Sequence, residues 1–403
     1  MKIAAIITEY NPFHNGHEYQ IKKTRELLGD DTAIIAIMSG NFVQRGGVAL
    51  TDKLTRARAA VDCGVNLILE LPFPYSMSSA EFFAMAGVHI AAKLGIVDYL
   101  VFGSELGNID TLEKISKNMS SEAFRTRLAE YTISSQNIGY PALCELVYKE
   151  LYGEELESGF FTPNNILGIE YLKALKAEQS TITPVTIKRE GGAYDSELTS
   201  GTSLQSASAI RDLIYDNNNS AYNFVPNNAK TIYLDAASHD RFPTNPEGLD
   251  KAIISSFRLN PPKLRAQIHD AEGGLYNRLY SVSMTESTIS SLIAKTETKK
   301  FTRARIRRAI WYSFLGVTSS DVRALPAYTQ VLAMDHIGRT LLKRIKKMSD
   351  FSVITKPSSY KEHSQSVISQ KELSNRADAI FDLTLKCSNS AKDALTFTPY
   401  VKK

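Results

Sequence analysis

Read from its amino terminus, the chain alternates short, uniformly apolar runs with longer amphipathic ones. The runs Lys2–Thr8, Thr32–Met38, Asn66–Glu70, Asp98–Phe102 and Thr181–Lys188 are rich in β-branched residues. Such runs predict strands covered on both faces. Between them Gly16–Leu28, Asp52–Cys63, Ser79–Leu94 and Leu112–Tyr131 carry a helical period, and Ser206–Tyr215 reads as the last helix of the series. Residues 133–180 read as a helical excursion, in which Pro163-Asn164-Asn165 starts a helix running through Leu175. This alternation predicts βαβ units, hence an α/β fold with a mostly parallel sheet and helices on both faces.

From about residue 216 to 246 the pattern lapses into Asn, Pro, Ala and Asp. The lapse divides the chain into a domain at 1–220, a linker at 221–246 and a mainly helical domain at 247–403. Charge follows the same division. Residues 247–403 hold 26 Lys and Arg against 14 Asp and Glu, a surplus of 12; residues 1–246 hold 21 against 29, a deficit of 8. That polarity predicts a polyanion docking on the second half. No apolar run nears the roughly 20 residues of a membrane helix, so no membrane partner is expected. The first run is too short for a signal peptide. Cys63, Cys144 and Cys387 lie far apart without metal-type spacing, which predicts a cytoplasmic protein and no protein-caged metal.

The densest chemistry is Thr8-Glu9-Tyr10-Asn11-Pro12-Phe13-His14-Asn15-Gly16-His17, directly after the first strand and opening the first helix. Asn-Pro forces a turn. The His-x-Gly-His that follows occupies a helix N-terminus, where free N–H groups and the helix dipole attract phosphate. Two imidazoles there can donate hydrogen bonds to oxygens that gain charge as pyrophosphate leaves an α-phosphate. Ser206-Ala207-Ser208-Ala209-Ile210-Arg211 opens another helix. Its hydroxyls can cap that helix or meet distal phosphates, and Arg211 adds a positive fork. Lys53, Arg56 and Arg58 read as a solvated helix face, and Gln44-Arg45-Gly46-Gly47-Val48-Ala49 as a mobile glycine-rich loop near the site.

Together His-x-Gly-His and Ser-x-Ser-x-Ile-Arg resemble the nucleotidylyltransferase superfamily, relatives of class I aminoacyl-tRNA synthetases. The wider set is narrower in meaning: Glu9 to His17, Met38 to Gly46, Glu70-Leu71-Pro72, Phe102-Gly103-Ser104-Glu105, Pro163 to Gly168, Lys188-Arg189 and Lys299 to Arg308. These motifs, spanning Met1 to about Lys347, resemble the bacterial tRNA(Met) cytidine acetate ligase family. The resemblance implies a Rossmann-like, HUP-type sheet domain followed by a mainly helical one. It implies that ATP activates acetate as acetyl-adenylate and that the acetyl group passes to N4 of the wobble cytidine of elongator tRNA(Met). It implies an ATP site made of Ile7, the Thr8–His17 motif, Glu18, Tyr19, Gln20, Gly103, Asn164 or Asn165, Lys188 and Arg189. Mg²⁺ is expected to ride on the phosphates, and no protein partner is inferred. Asn66 stands where the family pattern has an aspartate.

Thr302 caps an expected helix through Phe314, with Ile306, Ala309, Ile310 and Phe314 facing inward and Arg305, Arg308 and Tyr312 opposite. With Lys299, Lys300, Arg303 and Arg307, and with Lys343, Arg344, Lys346 and Lys347 extending the charge, this reads as an RNA-binding surface. Two rival readings share the ATP motif: an adenylyltransferase of a small phosphorylated metabolite, and a non-catalytic RNA-binding protein holding ATP structurally.

Overall fold

The computed structural model describes residues 1–134, 138–153, 156, 160–189, 204–264, 267–387 and 396–403. Its first half runs β1 (Ile3–Thr8), α1 (Asn15–Leu28), β2 (Ala33–Ser39), a hairpin of β3 (Phe42–Val43) and β4 (Gly47–Val48), α2 (Lys53–Asp62), β5 (Leu67–Leu71), α3 (Ala80–Lys93) and β6 (Tyr99–Ser104). It continues through α4 (Ile109–Met119), α5 (Glu122–Ser134), α6 (Tyr140–Tyr152), α7 (Pro163–Ala177), β7 (Thr183–Lys188) and α8 (Ala207–Tyr215). The second half runs α9 (Asn227–Ser238), α10 (Asp250–Leu259), α11 (Leu275–Ser283), α12 (Ile289–Thr296), α13 (Arg303–Leu315) and α14 (Ser319–Arg323). It ends with β8 (Tyr328–Met334), α15 (His336–Met348), β9 (Ser352–Ile354), α16 (Gln365–Asp382) and β10 (Tyr400–Val401). The one helix expected over Leu112–Tyr131 is two, broken at Ser120-Ser121, where the Ser121 hydroxyl accepts from Phe124 N at 3.1 Å.

The eight-stranded sheet has the order β10-β8-β5-β2-β1-β6-β7, with β9 alongside β8. Strands β7, β6, β1, β2 and β5 are parallel, as in the pairs Ile3–Ala33 and Ile35–Leu67. Side chains alternate across the central strands. Ala4 and Ile6 pack with α1, α2, α8 and α9, whereas Ala5 and Ile7 face α3 and α7. The chain winds outward from β1 through β2 to β5, then returns to β6 on the other side of β1. Ligands of open α/β sheets bind at such a reversal, beyond the carboxyl ends of the strands.

The second half departs from the expected separate domain. Strand β8 enters the main sheet antiparallel to β5, and β10 follows it. Helix α9 lies inside the expected linker, and the Tyr233 hydroxyl accepts from Phe13 N at 2.8 Å. Hairpin residue Phe42 packs edge-on against Trp311 at 5.2 Å and against Phe73 at 5.4 Å, inside the core shared by α10, α11, α12, α13 and α16. A seven-residue strand whose partner lies more than two hundred residues upstream leaves no local trace in a helical stretch.

Lys53 and Arg56 are likewise buried rather than solvated. Lys53 reaches Glu70 and Asp378, each at 2.6 Å, tying α2 to β5 and α16. Burial alone would lower its pKa, but the Asp378 and Glu70 carboxylates outweigh burial and hold the ammonium charged. Arg56 donates to the carbonyls of Glu9, Ser39, Gly40 and Thr51, bracing the loops at the strand ends. Burial brings the Arg56 pKa down to about 10. Only Arg58 of the three is on the surface, beside Asp235. Asn66 accepts from Ile34 N at 2.8 Å and donates to Asp335 at 2.8 Å, so its amide locks β2 and the start of α15 together.

Candidate active site

Helix α1 begins at His14, whose backbone is extended rather than helical. His14 Nδ1 accepts from Gly16 N at 3.1 Å, and His17 Nδ1 accepts from His14 N at 3.2 Å. This is a capping box in which imidazoles do the work usually given to Ser and Glu. Its chemical effect is on the tautomer: an Nδ1 that accepts leaves the proton of a neutral ring on Nε2. The rings lie 3.8 Å apart, with Tyr10 edge-on to His17 at 4.8 Å. Burial, then the nearby guanidinium groups of Arg189 and Arg211, lower the His14 pKa to about 3. Burial, His14 and Arg189 push His17 well below its usual value. Two neutral donors thus face a cavity whose cationic lining is Arg45, Lys188, Arg189 and Arg211, with Glu9 as its carboxylate.

That cavity opens at the carboxyl ends of β1, β6 and β7. It is lined by Ile7, Thr8, Glu9, Tyr10, Asn11, His14, Gly16, His17, Tyr19 and Gln20 from the first motif. Gly103, Asn164, Lys188, Arg189, Ser206 and Arg211 come from the others. Gly16 permits the tight turn, since a Cβ there would lie 2.8 Å from the His14 ring. Arg211 donates to Asn11 O at 2.8 Å, joining α8 to the first motif. Ser206 caps α8 by accepting from Ala209 N at 3.2 Å, and Ser208 contacts the Ser206 hydroxyl at 3.1 Å.

Other expected residues lie outside the cavity. Phe13 and Pro12 are buried beneath it, Glu18 points to the surface, and Asn15 donates to Asn223 O. Of the asparagine pair, Asn164 lines the cavity, while Asn165 accepts from Glu105 N and Leu106 N and donates to Phe160 O. Gln44 and Arg45 at the tip of the β3–β4 hairpin line the mouth, and Gln44 N donates to Glu9 at 2.8 Å. The stretch expected as a mobile loop is therefore a hairpin anchored through Phe42. Sequence reasoning missed Phe83, Phe102, Leu167, Tyr171 and Gln205 as lining residues. The four aromatic and aliphatic positions lie on helices and strands and read simply as core, while Gln205 sits in the stretch just before α8.

The family model for HIGH nucleotidyl transferases matches residues 1–395. A protein of Acetivibrio thermocellus named tRNA(Met) cytidine acetate ligase is 34% identical over 99% of both chains. One of that name from Thermoanaerobacter pseudethanolicus is 37% identical over 97% of both. The chain belongs to the tRNA(Met) cytidine acetate ligase family. The crystal structure of Thermotoga maritima TmcAL bound with alpha-thio ATP, 27% identical, superposes over the whole of both chains with a TM-score of 0.91.

The basic surface of this ligase-family chain is narrower than its sequence implies. Arg305 is held by the carbonyls of Asp270 and Glu272, and Arg308 pairs with Asp270 at 2.5 Å. Tyr312 is wholly buried and donates to Met77 O, so it belongs to the core and offers no stacking surface. Arg303 and Arg307 remain exposed. Burial, then Arg303, Arg211 and Arg45, lower the Arg307 pKa, so positive charge from α13 and from the cavity mouth converges there. Gly46, at φ +76°, lets the hairpin touch α13; a Cβ would lie 2.5 Å from Arg308 N. Lys299 and Lys300 extend this edge. Lys343, Arg344, Lys346 and Lys347 do not. Helix α15 starts where Asp335 N meets Asn66 O and ends where Ser349 meets Lys93 O, at the opposite edge of the sheet.

Proposed function

We propose that this protein is an ATP-dependent tRNA(Met) cytidine acetate ligase working in the cytoplasm. The paired, Nδ1-capped neutral histidines facing an arginine-lined cavity carry this reading. An acetate oxygen attacks the α-phosphorus of ATP, forming a P–O bond while the bond to pyrophosphate breaks. His14 and His17 donate Nε2–H to the oxygens that gain charge, and Ser206, Ser208 and Arg211 hold the distal phosphates. In the second step N4 of the wobble cytidine of elongator tRNA(Met) attacks the acetyl carbonyl carbon, AMP departs with the electron pair, and N4 loses its proton to water. Activation is needed because the N4 lone pair is delocalised into the ring.

Mg²⁺ fits as a phosphate-borne ion. Phosphate oxygens and water would hold it, with Glu9 the carboxylate among the cavity-lining residues, and it would supply charge neutralisation there. The tRNA enters across Arg45, Arg303 and Arg307. Among the described residues no helix is long and apolar enough to cross a membrane. The test is to incubate the protein with labelled acetate, ATP and total tRNA, then digest the tRNA and seek N4-acetylcytidine by mass spectrometry. Label confined to free acetate would refute the reading.

A further inference from the structure

One end of the cavity differs in character from the rest. Its lining residues Ile7, Phe83, Phe102, Leu167 and Tyr171 pack in one apolar cluster, which also holds the Tyr171 hydroxyl. Tyr171 is 2% exposed and its hydroxyl has no hydrogen-bond partner among the described residues. An unpaired buried hydroxyl is costly, and such orphans call for a partner. The rings of Phe102 and Tyr171 sit 5.5 Å apart and are tilted by 54°, so these two walls meet at an angle, as two sides of a cup.

The cup is also held shut. Gly87 of α3 and Gly168 of α7 stand in helix interiors, where glycine is unfavourable. A Cβ on Gly87 would come within 2.7 Å of Ile7 Cδ1, and one on Gly168 within 2.8 Å of Phe102 Cε2. Both helices therefore close directly onto Ile7 and Phe102, so these walls cannot retreat to admit a larger group.

We propose that this cup is the acyl pocket: it receives the methyl group of acetate, and the Tyr171 hydroxyl donates to the carboxylate oxygen that does not attack phosphorus. The inference rests on the acetate-activating reading above. Burial, and secondarily the Glu9 carboxylate, raise the Tyr171 pKa far above neutrality, so the phenol stays a donor. A carboxylate only accepts, which matches it to this one group. The same oxygen becomes the acetyl carbonyl oxygen and gains charge when cytidine N4 attacks, so Tyr171 serves both steps. Phe83 and Phe102 set the length of the acyl chain by filling the space a longer chain would need.

Acetate-dependent exchange of labelled pyrophosphate into ATP tests this. In Tyr171→Phe, which keeps the ring and opens no cavity, the KM for acetate should rise about tenfold or more, as expected for losing a hydrogen bond to a charged group, while the KM for ATP stays put. In Phe83→Ala, butyrate should become a substrate at the expense of acetate. An unchanged acetate KM in Tyr171→Phe, or a rise in the ATP KM instead, would overturn the assignment while leaving acetate activation standing. No acetate-dependent exchange by the natural protein would bring down both. Matching thermal melts of Tyr171→Phe and the natural protein separate these results from misfolding.

Discussion

The His14 ring accepts the backbone N–H of Gly16, and the His17 ring accepts the backbone N–H of His14, so each imidazole is fixed by the turn it helps to build. On the proposed reading, helix capping and phosphate recognition fall to the same two side chains, through opposite nitrogens.

The two roles can be separated by substitution. Asn is a good N-cap but cannot extend an Nε2–H into the cavity. His14→Asn should therefore melt near the natural protein while losing turnover by about 10²–10³, the usual cost of removing one preorganised donor. Steady-state pyrophosphate release alongside a thermal melt distinguishes this from loss of the fold.

The lowered histidine pKa values set a pH dependence for the unliganded protein. His14 titrates near 6.5 when unfolded and at about 3 when folded. Below pH 6.5 the unfolded state binds the extra proton, so stability is complete above that value and falls as pH drops towards 3. Melting temperatures taken between pH 7 and pH 4 should decline, and decline less in His14→Asn. Equal slopes would contradict the buried, neutral state.

Lys53 is paired to Glu70 and Asp378 beneath the surface. Lys53→Met leaves two buried carboxylates without their cation and should cost about 3–5 kcal/mol in urea unfolding. Restoring neutrality with Glu70→Gln and Asp378→Asn in the same chain should return part of that loss.

RNA binding should follow placement rather than net charge. Arg303→Glu with Arg307→Glu should weaken tRNA binding and lower its salt slope by roughly 0.7–0.9 per lost phosphate contact. Lys346→Glu with Lys347→Glu, an equal change of charge on the far edge, should do much less. Filter binding over a range of salt concentrations compares them.

Gly46→Ala should force the β3–β4 hairpin away from α13, because its Cβ meets Arg308 N and the glycine φ is +76°. Acetyl transfer to tRNA should fall at least tenfold, the loss expected for misplaced reacting groups. Pyrophosphate exchange, which needs no tRNA, should continue. Equal losses in both assays would detach the hairpin from RNA placement.

Much of this was legible because the decisive residues are close in sequence. Strand β1, the turn at Asn11-Pro12 and both histidines fall within the first seventeen residues, so local rules of turn, cap and dipole suffice. What was not legible is non-local. Lys53 and Arg56 look like a solvated face until Asp378 and the carbonyls of the strand-end loops arrive from elsewhere. Tyr312 looks like part of a polar stripe until Met77 and Ser78 cover it. The basic run on α15 continues that of α13 in sequence and parts from it in space, since β8 lies between them and carries the chain to the other end of the sheet.

The antiparallel entry of β8 beside β5 has a consequence for synthesis on the ribosome. At roughly 5–20 residues per second, β5 waits on the order of ten seconds or more for a neighbour, with its outer edge unpaired and its side chains wholly apolar apart from Glu70. A nascent chain in that interval presents a sticky edge, the kind of surface that chaperones shield. Translation that stalls before residue 328 would release a fragment prone to aggregate even though its nucleotide motifs are all present.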